Sequence, residues 1–148
     1  MANITFNVAL GRVASLAALP AANDALIAVP IETTGIVADS VMRDYDDLAA
    51  LLAGASNEQT TMGRKTLTGV TVTVDDTNDR VAVDAADITW TAATGNAISA
   101  IVICYDPDTT GGTDADLIPL TKHDFAITPD SSDVTATVAD FFRATSAA

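Results

Sequence analysis

Short segments of alternating apolar and polar residues, separated by turns rich in Asp, Gly and Asn, constrain the fold of this chain most strongly. From Thr66 onward, Val70, Val72 and Val74 alternate with threonines, and the turn DDTNDR follows them. The apolar positions then continue through Val81, Val83, Ile88 and Trp90. Alternation with period two is typical of half-buried strands, so this region predicts a β-hairpin.

The segment AISAIVICY, which contains Cys104, is apolar at consecutive positions. Both faces of a strand with this pattern need covering, which predicts a central strand within a sandwich. Three further short segments, 117–120, 125–128 and 134–138, are also predicted to be strands. With the extended N-terminal segments they give about eight closely spaced strands, a number that favours an all-β, jelly-roll-like β-sandwich over any βαβ fold.

The 148 residues are 49% hydrophobic, which is enough for one domain with its own core. We predict a single domain over residues 1–148, with a main β body at 66–138. One short helix is expected at 44–53, where Leu48, Leu51 and Leu52 share a face. Asp44 is the predicted N-cap, and Gly54 is the predicted C′ residue.

Residues 1–31 are predicted to be either an extended N-terminal arm or the first strands of the sandwich. Alternation cannot distinguish a strand in its own sheet from one added to a partner's sheet. If the segment is an arm, its candidate partner contacts are Ile4, Phe6, Val8, Arg12, Val13 and Leu16. Pro30 cannot donate to a ladder, so the segment 25–31 is expected at an edge or outside the main sheet.

The chain carries 20 acidic and 7 basic side chains, a formal net charge of −13. Such a balance argues against nucleic acid and anionic membrane surfaces as partners, because both need a basic surface. The charge is uneven: residues 1–70 hold seven acids and four bases, and residues 71–148 hold thirteen acids and three bases. We therefore expect the near-neutral N-terminal segment to face a partner and the Asp-rich body to face water.

Few residues offer chemistry. Cys104 is the only cysteine and His123 the only histidine, and a thiol on a central strand is expected to be buried and inert. The spacing of Asp106, Asp108 and Thr110 resembles the start of a calcium loop, but Leu117 stands where that loop needs a glutamate. We predict no enzymatic activity, no cofactor and no dedicated metal site, while weak calcium binding by the Asp-rich loops stays open.

Two further features each allow a functional and a structural interpretation. Arg64 and Lys65 lie in a long polar connection of an acidic chain, so they are candidate partner contacts or simply solvated charges. Trp90 and Tyr105 could form a sugar-binding floor, but the strand pattern places Trp90 in the core.

Several strings together resemble a known group of proteins: NDALIAVPIETTG, RDYDDLAALLAG, SNEQTTMGRKTL and VTVDDTNDRVAVDAADITWTAATGN. From about residue 4 to about residue 138 the chain is similar to the capsid decoration, or minor capsid, proteins of tailed bacteriophages that infect actinobacteria. None of these strings is a chemically diagnostic motif.

The resemblance implies a β-sandwich body that forms homotrimers and binds the major capsid protein at local threefold positions of the outer capsid surface. It implies synthesis in the host cytoplasm and no catalytic residues. The alternative is a carbohydrate- or receptor-binding β-sandwich module of a phage tail or surface appendage, which the polar Asp, Thr and Gly loops suggest.

Overall fold

A computed structural model describes residues 2–54 and 56–146 of the chain. Residues 1, 55, 147 and 148, which fall within the predicted domain, lie outside the described residues. The strands are β1 (Ile4–Thr5), β2 (Ala25–Glu32), β3 (Lys65–Thr66), β4 (Thr71–Asp75), β5 (Arg80–Asp84), β6 (Ile88–Trp90), β7 (Ile98–Asp106), β8 (Ile118–Ile127), β9 (Val134–Ala136) and β10 (Phe142–Thr145). The α-helices are α1 (Val13–Ala17), α2 (Asp39–Met42) and α3 (Leu48–Ala53), and 3-10 turns cover Asn7–Ala9 and Asp114–Asp116.

The strands of the described residues form three antiparallel sheets, in the orders β1-β8-β7-β2-β3, β10-β5-β4 and β6-β9. The all-β, sandwich-like class expected from the sequence is confirmed. The predicted hairpin is confirmed as β4 and β5, joined by a turn at 76–79. The predicted central strand is confirmed as β7, which pairs with β2 on one side and β8 on the other.

Two apolar clusters cover the opposite faces of the five-stranded sheet. On one face, Ile101 and Ile103 of β7 pack with Trp90, Val83 and residues of α1, so the two small sheets and α1 close this side. On the other face, alternate residues of β2 and β7 pack against α2, α3 and the N-terminal segment, in a cluster that includes Val29, Val102, Phe6, Met42 and Leu51. Because both faces are covered, β7 is apolar at consecutive positions, as a strand buried on two sides requires.

The N-terminal segment is not an extended run. Only Ile4–Thr5 forms a strand, after which the chain makes a 3-10 turn and then α1. Four residues of this segment are buried: Ala9, Val13, Leu16 and Ala17. The last three follow Ala9 by four, seven and eight residues, a spacing that places all four on one face of a helical chain. The extended conformation predicted for residues 1–31 is therefore wrong at 7–17, because this helical periodicity competes with the alternation of Ile4, Phe6, Val8 and Leu10 with polar or small residues.

The helix predicted at 44–53 is shorter and capped differently. It runs from Leu48 to Ala53, and its N-cap is Asp47 rather than Asp44, with the Asp47 carboxylate accepting from the Ala50 amide at 2.7 Å. Gly54 ends the helix with a φ of −77°, so it is not a left-handed C′ residue. A Cβ at this position would lie 1.9 Å from the Tyr45 hydroxyl, so the glycine makes room for that ring. With α1 and α2, the fold has more than the one helix expected.

Strand β2 is an inner strand, which corrects the expectation from Pro30. It pairs along its whole length with β7 and at Ile27 and Ala28 with β3. The Pro30 carbonyl accepts from the Gln59 amide at 2.9 Å, so the Pro30 backbone polar groups point away from β7. The missing amide hydrogen therefore removes no bond from the β2–β7 ladder.

The C-terminal part of the β body is divided into strands differently from the prediction. The predicted segments 117–120 and 125–128 are joined in one ten-residue strand, β8, through residues 121–124. Strand β10 lies beyond the predicted end of the β body at residue 138 and pairs with β5.

The burial of Phe6 gives a direct test of whether the N-terminal segment belongs to the fold. Phe6 is 0% exposed and Leu10 is 61% exposed. We expect Phe6→Ala to lower the free energy of unfolding by about 3–5 kcal/mol, because it leaves a cavity in the core. The matched control Leu10→Ala is expected to change it by less than about 0.5 kcal/mol. Denaturant unfolding measures both, and equal small effects would show that the segment is a detachable arm.

Candidate partner-binding surface

The six candidate contacts of the N-terminal segment do not share one surface. Phe6, Val13 and Leu16 are buried in the chain's own clusters. Ile4 and Val8 are half-buried, and only Arg12 is exposed. For the three buried residues, the structure favours the alternative that they belong to this fold, because the 3-10 turn and α1 lay their apolar side against the sheets.

We call four exposed apolar and basic residues of the N-terminal segment and of α2 with its C-cap the N-terminal surface: Leu10, Arg12, Val41 and Arg43. The Asn7 amide donates to the Arg43 carbonyl at 2.8 Å, which holds the 3-10 turn beside the end of α2. Leu10 is 61% and Val41 48% exposed, and both are among the few large apolar side chains that stand in solvent. Neither Leu10 nor Val41 is among the partner contacts predicted from the sequence.

Both arginines of the N-terminal surface keep their charge unpaired within the described residues. The Arg12 guanidinium donates only to the Val8 carbonyl at 3.5 Å, and the Arg43 guanidinium to the Asp39 carbonyl at 3.2 Å. No carboxylate of the described chain lies within 4 Å of either group. The N-terminal surface thus carries exposed apolar groups and two arginines, and the Asp44 carboxylate lies next to it, where it accepts from the Asn7 side chain at 2.7 Å.

Arg64 is engaged inside the chain. Its guanidinium contacts Glu58 at 2.6 and 2.8 Å and Asp114 at 2.7 and 3.1 Å. The hydrogen bonds to Glu58 and then to Asp114 raise the pKa of Arg64 further above its ordinary value. This arginine ties the polar connection to the 3-10 turn at 114–116. Lys65 is half-buried in β3, opposite Ala28 of β2, so the two basic neighbours have separate environments.

Lys122 is a fully buried ion-pair centre that sequence reasoning missed. Its ammonium group is 2.8 Å from the Asp39 carboxylate and 2.6 Å from the Asp124 carboxylate, and its side chain is 0% exposed. Asp39 also accepts from the Ala2 amide at 2.7 Å. The cluster therefore joins β8, the first residue of α2 and the start of the chain. The only sequence signal is Asp124, which shares a strand face with Lys122 at a spacing of two.

The pKa of Asp39 reflects this position. Burial acts to raise the pKa of Asp39, but the hydrogen bond from Lys122, the bond from Ala2 and the lysine charge together hold it below its ordinary value. The carboxylate therefore stabilises the fold in its ionised form.

An apolar cleft of about 320 Å³ opens between β8 and the connection from β9 to β10. Its apolar lining includes Leu67, Ile88, Ile101, Ile103, Phe125 and Phe141. His123 lies in this lining, where its Nε2 is 2.9 Å from the Thr121 hydroxyl and its ring meets Phe141 edge-on at 6.3 Å. Burial, followed by the charge of Lys122, lowers the pKa of His123 below its ordinary value.

Cys104 and His123 do not meet. Cys104 packs in the cluster on the side of the five-stranded sheet that α2 and α3 cover. His123 instead lies opposite Ile101, a residue of the other cluster. Burial raises the pKa of the Cys104 thiol well above its ordinary value. The expectation that Cys104 is buried is confirmed, and the described residues bring no Cys–His pair together.

The aspartates mainly build turns. Asp75 accepts from Thr77 and Asn78, Asp108 accepts from Thr110, and Asp130 accepts from Ser132. Hydrogen bonds of this kind lower the pKa values of these carboxyls. Short Asp side chains reach the backbone two residues on, which favours Asp over Glu at these turns. Among residues 2–54 and 56–146, no three His, Cys, Asp or Glu side chains converge as a metal site would require.

The two aromatic candidates for a sugar-binding floor are inside the protein. Trp90 is 1% exposed and donates from Nε1 to the Gly63 carbonyl at 2.9 Å. Tyr105 is buried and donates to Asp24 at 2.9 Å. The core position of Trp90 is confirmed, so these residues form no exposed stacking platform.

Comparison with family models, with curated proteins and with solved structures found no match to this chain. No helix in the described part of the chain is long and apolar enough to cross a membrane.

Removing the two carboxylates that pair with Lys122 should destabilise the protein more than removing the lysine itself. The double variant Asp39→Ala/Asp124→Ala leaves a buried ammonium group without a partner, and we expect it to cost about 3–5 kcal/mol of unfolding free energy. Lys122→Met fills the same space and leaves two partly hydrated carboxylates, so its cost should be clearly smaller. Urea unfolding at neutral pH compares them, and a larger loss for Lys122→Met would refute this account.

Acid should weaken the same cluster. Because the pKa of folded Asp39 lies below that of the unfolded chain, its contribution is complete above the unfolded value and is lost as the pH falls through the folded value. Asp39→Asn lacks this titration. Between about pH 5 and pH 2, its unfolding free energy should therefore fall less steeply than that of the wild type. Parallel curves would mean that Asp39 does not contribute.

Proposed function

We propose that this chain is a structural, non-enzymatic virion protein that binds the outer surface of a phage capsid and stabilises it. In this proposal it acts as a homotrimer at local threefold positions, and its partner is the major capsid protein. The role and the stoichiometry in this proposal are those that the resemblance of residues 4–138 to phage decoration proteins implies.

The observation that carries the proposal is the unequal division of the protein surface. The N-terminal surface exposes Leu10 and Val41 together with two arginines that pair with no carboxylate of the described chain. Residues 71–148, by contrast, carry thirteen acids and three bases. Apolar groups beside unpaired positive charge suit contact with another protein, and a remainder in which acids far outnumber bases suits exposure to water.

The N-terminal surface differs from the arm that the sequence suggested. Its residues stand on short elements that are fixed to the cores by Phe6 and Met42, both fully buried. A rigid surface loses less conformational entropy on binding than a free arm does. Three copies in a trimer would present three such surfaces, so modest individual contacts would multiply through effective concentration.

Co-sedimentation with assembled capsids of the phage that encodes this chain tests the proposal. We expect the wild-type chain at micromolar concentration to pellet with capsids, and Leu10→Asp to remain largely in the supernatant while its melting temperature is unchanged. Leu10 is exposed, so a charge at this position disturbs the surface and not the core.

The matched control is Val74→Asp, which makes a comparable change at an exposed position on the acidic body. It should pellet like the wild type. A wild-type chain that stays in the supernatant would overturn the capsid proposal, and equal binding by Leu10→Asp would overturn the assignment of the N-terminal surface.

A further inference from the structure

The cleft between β8 and the connection from β9 to β10 reaches the apolar interior of the protein. Leu67, Ile88 and Ala136 line it, and each of them is 7% exposed. They belong to the same apolar cluster as Val83, which is fully buried. The cleft therefore leaves part of this cluster in contact with water, and a molecule that covers it gains the free energy of apolar burial.

The volume of the cleft sets the size of the molecule that it can hold. An enclosed apolar cavity of about 150 Å³ is large enough to bind benzene. At about 320 Å³, this cleft has room for roughly two fused rings. It also falls within the range of roughly 300–1,000 Å³ that is usual for small-molecule sites in proteins.

The polar groups of the lining disfavour a ligand with many hydroxyl groups. Five polar side chains line the cleft, and four of them already have a hydrogen-bond partner within the chain: Asn3, His123, Asp124 and Asp140. A sugar that entered would give up hydrogen bonds to water and find few replacements, which costs free energy.

Charge disfavours an anionic ligand. In the described lining, Asp124 and Asp140 carry the only full charges, because burial keeps the pKa of His123 below its ordinary value and the ring neutral at pH 7. No lysine or arginine is among these lining residues. A bound anion would therefore lose its hydration and meet carboxylates instead of a cation.

We propose that this cleft binds a neutral aromatic molecule of about two fused rings. Phe125 and Phe141, both half-buried, line it and offer ring surface against which an aromatic ligand packs. The apolar lining supplies the affinity, and the two carboxylates give the preference for an uncharged molecule. The site is separate from the N-terminal surface, none of whose four residues lines the cleft.

Calorimetric titration with 2-naphthol and 2-naphthoate tests the inference, because the two molecules share one ring system and differ in charge. At about pH 7.5 the naphthol hydroxyl is neutral and the naphthoate carboxyl is ionised. One 2-naphthol binds to each chain. 2-Naphthoate binds at least about tenfold more weakly, because its carboxylate loses water without gaining a cation.

Two variants locate the binding in the cleft. Ala139 is exposed and lines the cleft, so the ring of Ala139→Phe occupies the ligand's space without disturbing the core, and 2-naphthol binding is lost at an unchanged melting temperature. The matched control Ala22→Phe, at an exposed alanine outside the lining, binds like the wild type. Asp140→Asn removes one carboxylate at a left-handed position that asparagine tolerates, and it narrows the difference between the two ligands.

Three results would each overturn the inference: no binding of 2-naphthol up to about 1 mM ligand, equal binding of the two ligands, or full binding by Ala139→Phe. An unchanged difference between the ligands in Asp140→Asn would do the same. The capsid proposal is tested separately, because Leu10→Asp is expected to lose capsid binding and keep 2-naphthol binding. Ala139→Phe is expected to do the reverse, so failure of one proposal leaves the other open to measurement.

Discussion

Burial of the β2–β7 strand pair on both faces is the constraint on which the rest of the structure depends. Alternate residues of these strands point to opposite sides, and each side must be covered by apolar groups. The two small sheets and α1 cover one side, and α2, α3 and Phe6 cover the other. The N-terminal residues are therefore part of the coverings, and they cannot leave the sheet without exposing it.

Charge is organised around this apolar centre in two ways. Aspartates at the periphery accept backbone amides and so fix the turns between short strands. Lys122 instead lies buried and joins α2 and the start of the chain to the long strand β8 through its two carboxylate partners. A buried ammonium group without a partner is strongly destabilising, so the charge of Lys122 depends on the carboxylates of Asp39 and Asp124.

The sequence was informative where one local period dominates. The β4–β5 hairpin, the central strand β7 and the buried positions of Trp90 and Cys104 follow from alternation and apolar runs, and the structure has all of them. Residues 4–17 fit both a strand and a helix period, and tertiary packing decided between them. The Lys122 cluster and the N-terminal surface depend on contacts across the chain, such as Lys122 with Asp39 83 residues away, which no local pattern contains.

The functional account rests on a rigid surface that carries apolar and positive groups on an acidic protein. Hydrogen exchange of the capsid-bound chain compared with the free chain tests that claim most directly. The account predicts that amides at 7–12 and 41–44 become protected on binding, while those of the Asp-rich turns at 106–113 and 128–133 keep their exchange rates. Protection confined to the Asp-rich turns would contradict it.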